Sequence, residues 1–209
     1  MVGRTSRTTT PDLCHDCKQP MSSPVCCVSC GALNPQPPEN FDYFEMFELA
    51  RGFDVDEAAL HRKYLALSRG THPDLAGRGS PADRERALSL NAELNRAYET
   101  LRDPMRRAEY LLSLAGGPSA AEDKSVPSEL LGEVMMLREE VEEAEAGGDD
   151  DALRSIRERA SNGQREAMAK ISGLCRQLDE VDEQGRSTLR TQLNGVKYWI
   201  NLLRQLPAD

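Results

Sequence analysis

Aromatic residues are scarce in this 209-residue chain, and long apolar runs are missing from it. Phe, Trp and Tyr together make up 5% of the residues, a composition that suits exposed helices better than β-sandwiches. No apolar run approaches the roughly 18 residues that a membrane-spanning helix needs. The N-terminal stretch has no apolar core, so it is not a secretory signal. We therefore predict an all-α, cytoplasmic protein with no membrane partner.

The chain also lacks an excess of basic residues. It carries 35 acidic and 26 basic side chains, which gives a net charge of −9. Because phosphate contacts need a basic surface, this balance disfavours nucleic-acid binding. None of the three histidines has a paired carboxylate, a nucleophile or a phosphate-binding loop with which to form a catalytic set. We predict that the protein is not an enzyme.

Cysteine, by contrast, is concentrated near the N-terminus. Five of the six cysteines lie between positions 14 and 30, where they form two Cys-x-x-Cys pairs: Cys14 with Cys17, and Cys27 with Cys30. Two such turns present four thiolates to a tetrahedral ion, so the spacing predicts a structural zinc knuckle. An iron–sulfur or redox role is the alternative, and Cys26 competes with Cys27 for the second pair.

Composition divides the chain into four predicted segments. Residues 1–38 hold the knuckle and end in a proline-rich run, and residues 40–114 have helical periodicity with sharp punctuation. Residues 115–127 form a linker that contains Gly116-Gly117-Pro118. Residues 128–209 are helical to the end, and their short connections favour an antiparallel three-helix bundle.

The segment 40–114 is predicted to contain three helices. The first is short, and the second begins at a cap formed by Asp54, with Glu57 three residues later. The third begins at Ser80-Pro81 and is closed by Asp103-Pro104. The apolar residues expected to face the core are, in the second helix, Leu60, Tyr64 and Leu67 and, in the third helix, Ala87, Leu90, Leu94, Ala97, Tyr98 and Leu101.

The segment 128–209 is predicted to contain three more helices, at about 128–146, 149–179 and 183–206. Apolar residues recur at helical spacing in the first and the last of them. The expected core positions are Leu130, Val134, Leu137 and Val141 in the first, and Leu189, Leu193, Val196, Ile200 and Leu203 in the last.

A loop that begins with His72-Pro73-Asp74 connects the second and third helices of the segment 40–114. In this helix–loop–helix setting the sequence resembles a J-domain, the helical hairpin that recruits DnaK-type ATPases. The segment Asn95–Pro104 is similar to the end of the third helix in that family. The resemblance implies that His72, Pro73 and Asp74 contact the chaperone and trigger ATP hydrolysis. Read alone, the tripeptide would be an ordinary polar turn.

Basic residues precede this loop. On a helical wheel Arg62 and Arg69 fall opposite the apolar stripe of their helix, and Lys63 lies at the edge of the same face. We expect these three side chains to join the chaperone contact, and a solvated surface is the alternative.

Two further segments, Asp42–Leu49 and Asp103–Leu114, resemble HscB-type co-chaperones, as does Leu137-Arg138-Glu139-Glu140. Some members of that family carry a similar N-terminal tetracysteine. The resemblance implies a co-chaperone that delivers an IscU-type iron–sulfur scaffold to a DnaK/HscA-type ATPase, as a monomer or a homodimer. A general J-domain co-chaperone for unfolded clients and a zinc-knuckle regulatory protein are the alternatives.

The same resemblance implies a scaffold-binding face. The corresponding positions are Leu131, Met135, Glu139, Glu143 and, on the last helix, Tyr198. Helical geometry places Leu131 and Met135 beside the core stripe, and it places Tyr198 opposite the stripe of its own helix. The alternative is that Leu131 and Met135 widen the core.

Overall fold

Helices account for most of the chain that the structure describes. The computed structural model describes residues 13–14, 16–21, 23–27, 29–30, 32, 34, 41–70 and 81–206. The helices in these ranges are α1 (Tyr43–Met46), α2 (Glu57–Gly70), α3 (Pro81–Arg102), α4 (Pro104–Leu114), α5 (Ser128–Gly147), α6 (Asp150–Arg176) and α7 (Glu183–Gln205). The predicted all-α fold class is confirmed. Within the same ranges, none of the helices combines the length and the apolar character that a bilayer crossing requires.

The chain divides into two compact units, Met1–Asp103 and Pro104–Asp209. This boundary differs from the predicted one, which placed residues up to 114 with the preceding helices. In the structure Pro104–Leu114 is a helix of its own, α4, and it packs against α6 and α7 in the second unit. Asp103-Pro104 ends α3 as predicted, but the same proline begins α4, because its fixed φ suits the first turn of a helix.

In the first unit, α1 begins with a capping box. The Asp42 carboxylate accepts from the backbone N–H of Glu45 at 2.9 Å, and the Glu45 carboxylate accepts from the N–H of Asp42 at 2.8 Å. Arg51 also donates to Asp42, with its Nε at 3.0 Å. Four residues make a very short helix, so these side-chain bonds supply much of what holds α1 in place.

Helices α2 and α3 pack against each other as the predicted hairpin. Its core holds the expected small and aliphatic side chains, Leu60, Leu67, Ala87, Leu94, Ala97 and Leu101. Leu90, which was also assigned to the core, is only half-buried, and so are the two tyrosines, Tyr64 and Tyr98. Their rings stack with centroids 4.2 Å apart, and the Tyr64 hydroxyl donates to Asn95 Oδ1 at 2.9 Å. Each ring therefore covers apolar surface while its hydroxyl keeps a polar partner.

The start of α2 was predicted two residues too early. The helix begins at Glu57, and the Asp56 carboxylate accepts from the backbone N–H of Ala59 at 2.9 Å. The side chain of an N-cap residue typically accepts from the backbone N–H three residues later, as the Asp56 carboxylate does here. Asp56 rather than Asp54 therefore fills this role.

In the second unit, α7 packs against α4, α5 and α6. The predicted core stripe of α5 is confirmed, because Leu130, Val134, Leu137 and Val141 are all buried. In α7 the stripe is only partly right. Leu189, Leu193 and Val196 are buried, whereas Ile200 and Leu203 are half-buried and Trp199 and Leu202 are buried in their place. A helix that meets three others buries a wider arc than one stripe predicts.

Trp199 needs a glycine beside it. A Cβ added at Gly163 on α6 would lie 2.6 Å from the indole ring of Trp199, which is closer than van der Waals contact permits. The missing side chain therefore lets the ring lie directly against the backbone of α6.

A buried ion pair joins α4 to α7. The Arg190 guanidinium, 1% exposed, donates to both carboxylate oxygens of Glu109, and its Nη2 lies 2.7 Å from Oε1. Lys197 Nζ adds a third bond to Glu109 Oε1 at 3.0 Å. Burial raises the pKa of Glu109, but the hydrogen bonds and charges of Arg190 and Lys197 outweigh it, so this pKa lies below its ordinary value.

Replacing Glu109 with Gln should destabilise the second unit by about 2–3 kcal/mol at neutral pH, because it leaves the Arg190 charge buried without its partner. The loss should be smaller than the ~3–5 kcal/mol typical of fully buried pairs, since Glu109 is partly exposed. Fluorescence of the single tryptophan, Trp199, during urea unfolding measures this loss.

The difference between wild type and Glu109→Gln should also depend on pH. A carboxylate with a lowered folded pKa stabilises the fold above its unfolded pKa, and this stabilisation is lost as the pH falls through the folded value. The two proteins should therefore converge in acid, below the ordinary pKa of 4.5. Glu158→Gln, at an exposed position on α6, is the control. Equal stability of Glu109→Gln and wild type at neutral pH would show that the pair contributes nothing.

Candidate functional site

The four cysteines of the two Cys-x-x-Cys pairs converge. The Sγ atoms of Cys14, Cys17, Cys27 and Cys30 all lie within 4.8 Å of one another. The Cys14–Cys30 and Cys17–Cys27 sulfur pairs are each 3.6 Å apart. Four sulfurs at about 2.3 Å from a tetrahedral zinc ion would be about 3.8 Å from one another. The donor set therefore has the chemistry and the size of a zinc tetrathiolate.

Both turns of the knuckle fold in the same way. The backbone N–H of Cys14 donates to Gln19 O at 2.8 Å, and that of Cys27 donates to Ala32 O, five residues on, at 2.8 Å. The first turn is closed further by the N–H of Lys18, which donates to Cys14 O at 3.0 Å. The repeated Cys-x-x-Cys spacing thus produces a repeated backbone geometry, with each turn presenting two sulfurs.

The local backbone favours some of the thiolates over others. Desolvation opposes ionisation of Cys27, but the backbone N–H groups of Cys30 and Ser29 bond its sulfur and lower its pKa to about 7. At Cys30 the backbone N–H of Ala32 lowers the pKa, yet desolvation and the neighbouring cysteine sulfurs outweigh it and raise the pKa to about 12. A divalent cation would relieve this repulsion among the four sulfurs.

Cys26 is not one of the four. Its side chain is fully buried, and its thiol is directed at the backbone O of Leu67 on α2, 3.9 Å away. Burial, followed by the charge of Cys27, raises the pKa of Cys26 to about 12. The choice between Cys26 and Cys27 left open by the spacing is therefore decided in favour of Cys27.

The predicted chaperone-contact loop, His72-Pro73-Asp74, lies outside the described residues. Two of the three basic residues before it, Arg62 and Arg69, are exposed on α2. Lys63 is instead half-buried, and its Nζ lies 3.7 Å from a carboxylate oxygen of Glu48. The exposed basic groups of this helix face are therefore the two arginines.

Sequence reasoning missed an apolar residue on the same face. Leu65 is 43% exposed, and on a helical wheel it lies between His61 and Arg69. The wheel alone could have found it, because a leucine on the polar side of an amphipathic helix is unusual.

On α5, the residues predicted to bind a scaffold form an exposed face. Leu131 and Met135 are 41% and 62% exposed, so they do not widen the core. Glu139 and Glu143 are exposed on the same side of the helix, and Tyr198 on α7 is half-buried.

The neighbouring Met136 is also exposed, at 61%, although it was not among the predicted scaffold contacts. Gly132 lies next to Leu131 in the sequence, and a Cβ added to it would meet no other atom within 4 Å. We call the three exposed apolar residues of α5, Leu131, Met135 and Met136, the α5 patch.

Comparisons with known proteins agree with both parts of this arrangement. Residues 42–110 match the family described as the DnaJ domain, and residues 126–206 match the HSCB C-terminal oligomerisation domain. The co-chaperone protein HscB homolog of Vibrio cholerae is 40% identical over 134 residues, which covers 63% of this chain and 78% of that protein.

Two solved structures extend the similarity. The chaperone HscB from Vibrio cholerae shares 34% sequence identity and superposes with a TM-score of 0.66, covering 79% of this chain and 95% of its own. The human co-chaperone protein HscB shares 26% identity with a TM-score of 0.70, and the match covers 92% of this chain and 95% of the human one. On its J-domain, its C-terminal helices and this similarity, the chain belongs to the HscB family of J-domain co-chaperones.

Proposed function

We propose that this protein stimulates ATP hydrolysis by a DnaK/HscA-type chaperone and delivers an IscU-type iron–sulfur scaffold to it, and thereby assists iron–sulfur cluster assembly. The observation that carries the proposal is the presence, in one chain, of a J-domain hairpin with an exposed arginine face and a bundle helix with an exposed apolar patch. A family of co-chaperones rather than enzymes supports a non-catalytic role.

The chaperone contact is assigned to the end of α2 and the loop after it. Arg62 and Arg69 supply two guanidinium groups, which suit an acidic partner surface and remain charged at all physiological pH values. The loop residues His72, Pro73 and Asp74 follow directly in the sequence and take the role that the J-domain resemblance gives them. Lys63, paired with Glu48, contributes less to this contact than the arginines.

The scaffold contact is assigned to the α5 patch. Leu131, Met135 and Met136 offer apolar area whose burial would drive association, while Glu139 and Glu143 add charge that selects a partner with basic groups. Tyr198 on α7 is the aromatic member of the proposed contact. Methionine side chains adapt to differently shaped partners, so this patch also favours a second candidate function, binding of unfolded clients.

One chain that binds both partners brings the scaffold to the ATPase. Once the scaffold is held by the bundle and the chaperone by the J-domain, their encounter becomes intramolecular and occurs at a high effective concentration. ATP hydrolysis is then stimulated when a client is present. This coupling requires no reactive group on the co-chaperone itself.

We propose zinc as the resident metal of the knuckle, with a structural role. Cys14, Cys17, Cys27 and Cys30 would fill all four tetrahedral positions, and a closed site of this kind leaves no position for a reacting water. The bound ion would supply folding energy to a segment whose own apolar cluster is small.

His72→Gln should remove most of the stimulation of a partner chaperone's ATPase, with a loss of at least about tenfold in the stimulated rate, because the loop would lose one of its charge-assisted contacts. Scaffold binding, measured separately by calorimetry, should not change. His61→Gln is the control, since it removes an exposed α2 histidine whose ring bonds the Tyr98 hydroxyl. Undiminished stimulation by His72→Gln would contradict the assigned role of the loop.

The double variant Leu131→Ala/Met135→Ala should weaken scaffold binding by roughly tenfold or more, because it removes two adjacent apolar contacts from the centre of the proposed interface. Alanine is the strongest helix former, so α5 should stay folded. Stimulation of the ATPase without scaffold should be unaffected.

Leu88→Ala provides the matched control for the α5 patch, because Leu88 is 56% exposed but lies in the first unit. If the double variant binds the scaffold as tightly as Leu88→Ala does, the α5 patch is not the scaffold site. Protection of a denatured protein from aggregation, lost in the double variant, would instead support the general-client function.

Purified protein should contain one zinc ion per chain by elemental analysis, and Cys27→Ala should lose it because three thiolates leave the tetrahedron open. Cys26→Ala should retain the ion, since the Cys26 thiol faces α2. Iron in place of zinc, or equal metal content in the two variants, would contradict this assignment.

A further inference from the structure

The segment between the two cysteine turns is packed against the J-domain hairpin. Ser23, Val25 and Cys26 are respectively 2%, 1% and 0% exposed, which is unusual for a small polar knuckle at the edge of a protein. The Ser23 hydroxyl donates to the backbone O of Met46, the last residue of α1, at 3.2 Å. The knuckle is therefore bound to α1 by a specific polar contact as well as by apolar burial.

A second contact connects the knuckle to α2. Cys26 Sγ lies 3.9 Å from the backbone O of Leu67, which is buried in the last turn of α2. Met46 O and Leu67 O lie in the last turns of α1 and α2, where backbone carbonyls often accept from side chains. Two knuckle side chains thus supply donors to the C-terminal ends of two helices.

The position of Cys26 in the sequence links this contact to the metal site. Cys26 is peptide-bonded to the proposed ligand Cys27, and α2 ends at Gly70, two residues before His72. A metal ion that held the Cys27 sulfur would also hold the backbone of Cys26 in position. The Cys26 thiol in turn contacts the last turn of α2, which precedes the chaperone-contact loop in the sequence.

Among the described residues, the apolar core of the knuckle itself is small. Its own apolar cluster consists of the buried Cys14, Met21 and Cys27, with Cys17 and Ala32 packed against them. Three of these five side chains are proposed metal ligands, so without the ion the cluster reduces to Met21 and Ala32 among thiols. A segment of this size depends on its metal for folding.

We propose that metal binding by the knuckle and ordering of the last turn of α2 are thermodynamically coupled, with Cys26 and Ser23 as the positioning residues that connect them. The proposal rests on the zinc site proposed above. The metal-loaded knuckle stabilises the last turn of α2, which directly precedes the chaperone-contact loop in the sequence. Because coupling of this kind is reciprocal, the packed helix also slows loss of the metal. Cys26 acts through this contact and is not a ligand.

The first test compares amide hydrogen exchange in the full-length zinc-loaded chain before and after chelation. Removing the ion should lower protection in the last turn of α2 by roughly tenfold, because the donors to its carbonyls are lost. Protection of α6, in the second unit, should stay the same and serves as the internal control. Unchanged protection in α2 after complete removal of the metal would overturn the coupling.

The second test uses a matched pair of buried thiols. Cys26 and Cys175 are both buried thiols, 0% and 6% exposed, but Cys175 lies on α6, away from the knuckle in sequence. Transfer of zinc to a chromogenic chelator should be about fivefold faster from Cys26→Ala than from wild type, as expected for loss of one buried polar contact, and unchanged in Cys175→Ala.

Ser23→Ala gives an independent variant in case Cys26→Ala folds poorly, and it should also accelerate zinc release and lower protection at the end of α1. Equal release rates from Cys26→Ala, Ser23→Ala and Cys175→Ala would overturn the inference. A chain that binds no metal would overturn the zinc assignment as well, whereas stoichiometric zinc with unchanged α2 protection would overturn the coupling alone.

Discussion

The second unit is organised around a buried guanidinium. Arg190 is almost fully enclosed, and a charge in that position is tolerable only with a partner close enough to bond it twice. Glu109 is that partner, and it lies on α4, within the segment that the J-domain match includes. The ion pair with Arg190 therefore holds α4 in the bundle. This explains why the compact units divide at Asp103 although the J-domain match extends to residue 110.

Most of the helices could be predicted from local patterns, because capping residues, prolines and apolar spacing act over a few positions. Two errors concern the second unit. Asp103-Pro104 was interpreted only as a stop, although proline also begins helices, and so α4 was missed. The core of α7 was reduced to one stripe, and Trp199 was left out because its burial depends on three neighbouring helices and on Gly163.

The candidate sites were predictable to different degrees. The metal set follows from spacing, because two equal turns bring four sulfurs together whatever surrounds them. The position of Cys26 outside the sulfur cluster could not be predicted, because it depends on a contact with Leu67, 41 residues away in the sequence. Leu65 was missed for a different reason: a family resemblance indicates positions shared with relatives, and the helical wheel of α2, which reveals Leu65, was used only to place the basic residues.

The contact between Gly163 and Trp199 has an evolutionary consequence. The indole ring fills the space that a Cβ at position 163 would need, so neither residue can change freely while the other is kept. Across homologous chains, a side chain at position 163 should occur together with a smaller residue at position 199. These two positions, 36 residues apart in the sequence, should therefore covary because of their packing alone.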